Sequence, residues 1–291
     1  MEGRIVMGLG GLYTVRDAQG TEYVLRAKGK FRRLKLTPLV GDNVLFTPGT
    51  GEEHGWVEEI LPRISLSMRP PAANVELMII VLAPVPEPDL LLIDQLLVGA
   101  RQQQMDVLMA FNKRELDRTL GEKLTKEYEK AEAPFLMVSA MEKDGLQALR
   151  EAMQGRLCCV AGQSGVGKST LLNALMGIDL KTGEISQRID RGRHTTRHAS
   201  LLEKDGLTVL DTPGFSLWEM AEPQDPVLLQ DYYPELTPFA GQCRFSPCYH
   251  QSEPGCAVLK AVKHGELSAE RIARYHTLLA QWKQSWRERY D

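Results

Sequence analysis

Residues 157–169 read Leu157-Cys-Cys-Val-Ala161-Gly162-Gln-Ser-Gly-Val-Gly167-Lys168-Ser169. The five apolar residues predict a buried strand, with Cys158 and Cys159 as small hydrophobes within it. Thr170–Met176 predicts a helix directly after the motif. Between strand and helix the chain fits the Walker A pattern in full, in the context that pattern requires. Gly162, Gln163, Ser164, Gly165, Val166 and Gly167 would curl backbone N–H groups around phosphate oxygens. The helix start through Thr170 adds partial positive charge. Lys168 would reach the outer phosphates and Ser169 would ligate magnesium. The stretch predicts an α/β domain that holds a nucleoside triphosphate.

Working outward, Leu77–Leu82, Val107–Phe111, Phe135–Val138 and Thr208–Leu210 are short and nearly continuous in apolar residues. Strands covered on both faces of a parallel sheet look like this. Helices are expected at 89–103 and 117–131. A P-loop alone does not choose between ATP and GTP, but three more strand ends carry polar motifs. Asn112-Lys113-Arg114-Glu115 resembles the guanine-reading NKxD motif, with Glu115 one methylene longer than the usual Asp. Ser139-Ala140 resembles the motif that closes over the base. Asp211-Thr-Pro-Gly214 has the form of a magnesium-side aspartate and switch turn. Ligands of open α/β sheets bind at such strand ends, and together these signals favour GTP. The order is permuted: the guanine motifs precede the P-loop and Asp211 comes last.

Residues 1–68 read as short strands between Gly, Pro and polar turns, among them Leu12–Arg16, Glu22–Ala27, Asn43–Thr47 and Gly55–Ile60. A small antiparallel barrel is expected, ending at Pro70-Pro71. Six of the ten residues from 26 to 35 are basic (Arg26, Lys28, Lys30, Arg32, Arg33, Lys35), with Phe31 among them. A basic strip with an aromatic on a barrel surface suits backbone tracking and base stacking of RNA. A solvated loop is the plainer reading of the same residues.

The tail holds Cys243, Cys248, His250 and Cys256, spaced C-x4-C-x-H-x5-C. Three thiolates and an imidazole make a closed tetrahedral zinc site with no position left for a reactive water. One structural zinc per chain is expected, supplying folding energy to a segment with little core. Ile272, Tyr275, Leu279, Trp282 and Trp286 recur on one helical face, expected to pack onto its own domain. The division is 1–68 barrel, 69–220 GTPase and 221–291 zinc domain.

Hydrophobic residues are 43% and the formal charge is −3, so nucleic-acid contact must come from local basic patches. No apolar run has the length of a membrane span, and the start MEGRIVMGLG lacks a signal-peptide core. A cytoplasmic protein without membrane partners, provisionally monomeric, is expected.

The motif order, Ala73-Asn74-Val75 after Arg69-Pro70, Gly192-Arg-His194-Thr195-Thr196, and the Cys243–Cys256 knuckle resemble one family nearly end to end. It is the circularly permuted, small-ribosomal-subunit-dependent GTPase A family of bacteria. The resemblance implies an N-terminal oligonucleotide-binding barrel (OB-type) whose basic strip meets RNA, a permuted GTPase domain and a C-terminal, mainly α zinc domain. It further implies GTP and GDP as ligands, magnesium with GTP, and the small subunit and its rRNA as partners in late maturation. Thr196 is assigned the switch threonine on magnesium, with Thr195 the alternative. Ras-like enzymes often place a water-orienting Gln after Asp-x-x-Gly, where this chain has Phe215. His194, with Thr196 and Asp211, is therefore the catalytic expectation. A second basic stretch, Arg188, Arg191, Arg193 and Arg197, surrounds that switch. The competing readings are a metabolic P-loop kinase or ATPase, and a non-catalytic RNA-binding module stabilised by nucleotide.

Overall fold

The computed structural model describes residues 1–50, 53–68, 70–179, 199–211 and 224–289. The N-terminal strands are β1 (Glu2–Leu9), β2 (Leu12–Asp17), β3 (Glu22–Ala27), β4 (Asn43–Thr47) and β5 (Gly55–Ile60), with helix α1 (Gly29–Arg33) between β3 and β4. They pair in the order β1-β2-β3-β5-β4, and β4 pairs back to β1, which closes the barrel. Alternation along the strands sends Ile5, Val15, Leu25, Val44, Phe46 and Val57 inside, all buried. The closed barrel is present, completed by the N-terminal strand β1, but it is not wholly antiparallel as expected: β3 and β5 run parallel.

Phe31 corrects an expectation. It is 3% exposed and belongs to the barrel core, so its ring is not on offer for base stacking. In a one-turn helix of basic residues, the single apolar side chain takes the inward face because burial removes it from water. Lys30, Arg32 and Arg33 stay exposed around it.

The Pro70-Pro71 stretch is a hairpin, not a free linker. Strands β6 (Leu66–Met68) and β7 (Pro71–Ala73) pair, and Ala73 N–H donates to the Val40 carbonyl at 2.9 Å. Asn74 Nδ2 donates to the Gly41 carbonyl at 3.0 Å, which ties the hairpin back onto the barrel.

The central elements are β8 (Leu77–Leu82), α2 (Leu90–Gln102), β9 (Asp106–Phe111), α3 (Arg118–Glu127), β10 (Phe135–Met137), α4 (Leu146–Met153), β11 (Leu157–Ala161), α5 (Lys168–Met176), β12 (Ser200–Lys204) and β13 (Leu207–Asp211). The sheet order is β10-β9-β8-β11-β13-β12, parallel except for β12, which runs antiparallel to β13. Alternate residues of β8 feed opposite faces. Met78, Ile80 and Leu82 pack under Ile93, Leu96 and Leu97 of α2. Leu77, Ile79 and Val81 pack with Leu149 of α4 and Leu171 of α5. Covering both faces is what makes the strand continuously apolar. The barrel joins this sheet at its edge, where Met7 of β1 pairs with Ser200 of β12. Arg16 and Glu203 form an ion pair across the same seam.

The C-terminal part has two 3-10 helices, Pro226–Tyr232 and Pro234–Phe239, then α6 (Ala257–Lys263) and α7 (Ala269–Glu288). Ile272, Tyr275, Leu279 and Trp282 are buried on one face of α7. That face was expected to pack within its own domain, but its cluster also takes in Val98 of α2. Among the described residues, no helix is long and apolar enough to cross a membrane.

Candidate functional site

From β8 the chain moves outward to β9 and β10, then returns to β11 on the other side of β8. That reversal opens a crevice beyond the carboxyl ends of β8 and β11, where open α/β sheets bind ligands. Gly162 stands directly after β11 with φ +135°, and a Cβ there would lie 2.1 Å from the Val81 carbonyl oxygen. Gly167 has φ +92°, and its Cβ would lie 2.6 Å from Asn112 Nδ2. Only glycine fits either place. Ser164 and Gly165 are exposed, Val166 is buried, and Ser169 and Thr170 lie half-buried in the first turn of α5. Lys168 Nζ donates to the carbonyls of Gly162 at 2.7 Å and Gln163 at 2.8 Å. Burial pushes its amine down to about 8, so an anion beside it would stabilise the charged form.

The guanine-type motifs reach the same crevice. Asn112 is 1% exposed and uses both ends of its amide. Its Nδ2 donates to the Val166 carbonyl at 3.0 Å, and its Oδ1 accepts from Ala140 N–H at 3.1 Å. One side chain thus holds the P-loop and the Ser139-Ala140 loop together. Lys113 Nζ donates to the carbonyls of Val85 at 2.7 Å and Gly165 at 2.8 Å, bracing the loop from the β8 side. Buried Ser139 accepts at Oγ from Glu142 N–H at 3.0 Å, which fixes the turn after β10. Glu115 stands exposed three residues after Asn112. Asp211 ends β13, which lies beside β11 in the sheet. His194, Thr195, Thr196, Phe215 and the arginines at 188, 191, 193 and 197 lie outside the described residues.

Asp89 escaped the sequence reading. Its carboxylate caps α2 by accepting from Leu92 N–H at 3.0 Å, while its own N–H donates to Gln163 Oε1 at 3.2 Å. The start of α2 therefore touches the P-loop. An Asp before an apolar helical run is an N-cap signal, though nothing in the sequence points to Gln163.

The Cys/His cluster forms a second site. The donor atoms of Cys243, Cys248, His250 and Cys256 all lie within 4.8 Å of one another. The Sγ atoms of Cys243 and Cys256 are 3.9 Å apart, and His250 Nδ1 is 3.7 Å and 3.3 Å from them. Tetrahedral bonds of zinc length space their ligands about 3.5–3.8 Å apart, so the set fits a metal ion. His250 Nε2 meets Gln230 Oε1 at 2.9 Å, which turns Nδ1 toward the thiols. Burial lowers the His250 pKa and favours the neutral imidazole a metal needs. Burial pushes the Cys248 thiol up to about 12. N–H groups of Ala257 and Leu259 point at the sulfurs of Cys243 and Cys256, at 3.4 and 3.5 Å.

Arg26 lies on β3, and Lys28 forms an ion pair with Glu58 of β5. Lys30, Arg32, Arg33 and Lys35 are exposed on or beside α1.

Comparison with known proteins places these features together. The family model described as RsgA GTPase matches residues 60–221, and that described as RsgA N-terminal domain matches residues 2–57. The small ribosomal subunit biogenesis GTPase RsgA of Ruminiclostridium cellulolyticum is 42% identical over 280 residues, 94% of this chain and 91% of that protein. That of Caldanaerobacter subterraneus is 39% identical over 294 residues, 100% of this chain and 98% of the relative. The crystal structure of YjeQ from Thermotoga maritima superposes with TM-score 0.83 at 34% identity, covering 97% of this chain and 98% of its own. YloQ, a circularly permuted GTPase, gives TM-score 0.78 at 30% identity over 97% of this chain and 95% of its own.

Proposed function

The chain belongs to the RsgA family of GTPases, and from that membership we propose that it hydrolyses GTP on the small ribosomal subunit during the subunit's late maturation. The observation that carries the reading is Asn112, whose amide joins the P-loop to the Ala140 loop. A guanine-reading strand end has no reason to be clamped to a phosphate loop unless one nucleotide spans both. In this reading Asn112, Lys113, Glu115, Ser139 and Ala140 hold the base. Residues 162–170 hold the phosphates, and Ser169 with Thr196 holds magnesium beside Asp211. The Cys243–Cys256 cluster takes one zinc, whose role is to fold the tail. The barrel's basic strip meets rRNA, and the chain acts as a cytoplasmic monomer. The GTP form favours binding to the immature subunit and hydrolysis favours release, which requires the two nucleotide states to differ in affinity for it.

Measuring GTP turnover with and without purified small subunits tests this. Stimulated turnover supports it. Turnover that ignores the subunits, or that runs equally on ATP, would remove it.

A further inference from the structure

With Phe31 in the core, the exposed aromatic among the barrel's described residues lies outside the basic strip, while Tyr13 and Tyr23 are half-buried. Trp56 opens β5 and is 44% exposed. Its neighbours follow from the register. Thr47 of β4 lies opposite on one side and Arg26 of β3 on the other. Arg26 in turn lies opposite Leu12 of β2. Thr47, Trp56 and Arg26 are exposed and Leu12 half-buried, so one cross-strand row runs over four strands on the outer face.

The row sits at one end of the barrel. The turn between β1 and β2 adjoins Leu12, and the connection from β4 to β5 runs between Thr47 and Gly55. The chain leaving β3 passes through Lys28 into α1 with Lys30, Arg32 and Arg33. Barrels of this type bind single strands on the face flanked by these connections. Glu58, next outward on β5, is matched by Lys28 and accepts from Thr47 Oγ1 at 3.0 Å, so the pole keeps a basic surplus.

We propose that Trp56 is the platform on which the barrel stacks an unpaired base of its RNA, with Arg26 and Lys28 placed to meet the adjoining phosphates. The argument is one of chemistry. A half-exposed indole is held on rigid strands rather than a loop, so it loses little freedom on binding. Every base has a face that stacks on it. The basic groups on its β3 side match a polyanion better than an apolar protein surface. The proposal rests on the rRNA-binding reading of the barrel.

The test uses the full chain and an oligouridylate carrying one 2-aminopurine, whose fluorescence falls on stacking. Wild type should bind with salt-dependent affinity and quench the probe. Trp56→Ala should lose roughly 5- to 100-fold in affinity and most of the quenching, at unchanged salt slope. Trp56→Phe should recover much of both, which separates stacking from damage to the barrel. Replacing Lys28, Lys30, Arg32 and Arg33 by Ala should instead flatten the slope of log affinity against log salt. Unchanged affinity and quenching in Trp56→Ala, with the slope still lost in the basic variant, overturns the platform and leaves RNA binding standing. Loss of small-subunit binding without loss of oligonucleotide binding assigns Trp56 to a protein contact and also overturns it. Wild type with no affinity for RNA or subunits removes the rRNA reading and the platform with it.

Discussion

Asp94, on the helix whose start touches the P-loop, is fully buried and accepts from Arg271 Nη1 of the C-terminal helix at 2.5 Å. The same carboxylate accepts from Arg274 Nε at 2.7 Å and from the Tyr128 hydroxyl at 2.9 Å. Arg271 also pairs with Glu235 and lies 4.8 Å and 4.9 Å from the ring centroids of Tyr128 and Tyr233. Two arginines are thus neutralised across the boundary between the GTPase and C-terminal parts. Asp94→Asn keeps the shape and removes the carboxylate both arginines share, leaving only the pairs Arg271–Glu235 and Arg274–Glu127 in a dry interface. A loss of about 3–5 kcal/mol in urea unfolding is expected. A loss under about 0.5 kcal/mol would mean that Glu235 and Glu127 suffice as counter-charges.

The nucleotide preference is the second expectation. Glu115 is exposed without nucleotide, so the preference requires that the bound base cover it: adenine would then leave the covered carboxylate unpaired, which disfavours ATP by ~10⁴-fold or more. Glu115→Ala should erase most of that difference, and Glu115→Asp should keep it. Competition binding of GTP and ATP measures both. Equal affinities in wild type would show that Glu115 does not read the base.

The third concerns pH. Burial holds the Lys168 amine at about 8, whereas a bound triphosphate favours its charged form. Above that pH the free protein has shed the proton that the complex keeps, so binding takes a proton up. GTP affinity should be level below pH 8 and fall by about tenfold per pH unit above it. Calorimetry in buffers of different ionisation enthalpy should find close to one proton taken up at about pH 9 and almost none at about pH 7. Lys168→Arg, charged throughout, should bind without this pH dependence, and a wild type equally level would contradict the reading.

Most of this architecture could be read in the chain because local pattern and tertiary role agree. Short strands between Gly, Pro and polar turns suit a barrel, nearly continuous apolar runs suit a covered sheet, and strands β3, β4, β5, β8 and β11 lie where the pattern places them. Phe31 misled because an aromatic among lysines and arginines reads as surface, while only the course of α1 over the barrel shows that it turns inward. Trp56 went unnoticed for the reverse reason: its exposure depends on strand register with Arg26. Asp94 looks like a solvated charge within an apolar helix, and its two arginine partners lie some 180 residues away on another element. Strand β12 is five residues long, and its pairing with both β13 and β1 leaves no local mark.

The metal cluster gives the fourth expectation. Freshly purified protein, prepared without chelator, should carry one zinc per chain. Cys256 is both a proposed ligand and the N-cap of α6, accepting from Leu259 N–H, so Cys256→Ala removes two supports at once. The variant should lose the zinc, loosen residues 224–289 to proteolysis and weaken subunit binding. Intrinsic GTP turnover should be little changed, because four protein ligands leave no position for a reacting water. Metal analysis without zinc in wild type, or turnover that collapses with its removal, would count against a purely structural site.

The last expectation joins the barrel to catalysis. Ser200 begins β12 four residues after Thr196 and pairs with Asp211 on one side and Met7 of the barrel on the other. A single strand therefore lies between the barrel and the aspartate, at the exit of the first switch. Phe215, where Ras-like enzymes often carry a water-orienting Gln, offers no polar group. Intrinsic turnover should accordingly be slow. His194 has an imidazole that accepts a hydrogen bond from water at neutral pH, which suits it to position the attacking water. RNA held at the barrel would bias the switch through β12, so that the subunit brings His194 onto the water. His194→Ala should then lose most of the subunit-stimulated turnover while GTP affinity and subunit binding persist. Glu203→Gln, which removes the seam's ion pair with Arg16, should lower the stimulated rate more than the intrinsic one. Full stimulation of the His194 variant would instead place the water-positioning group on the ribosome, acting in trans as an arginine finger does. Full stimulation of the Glu203 variant would mean that the signal does not cross this seam.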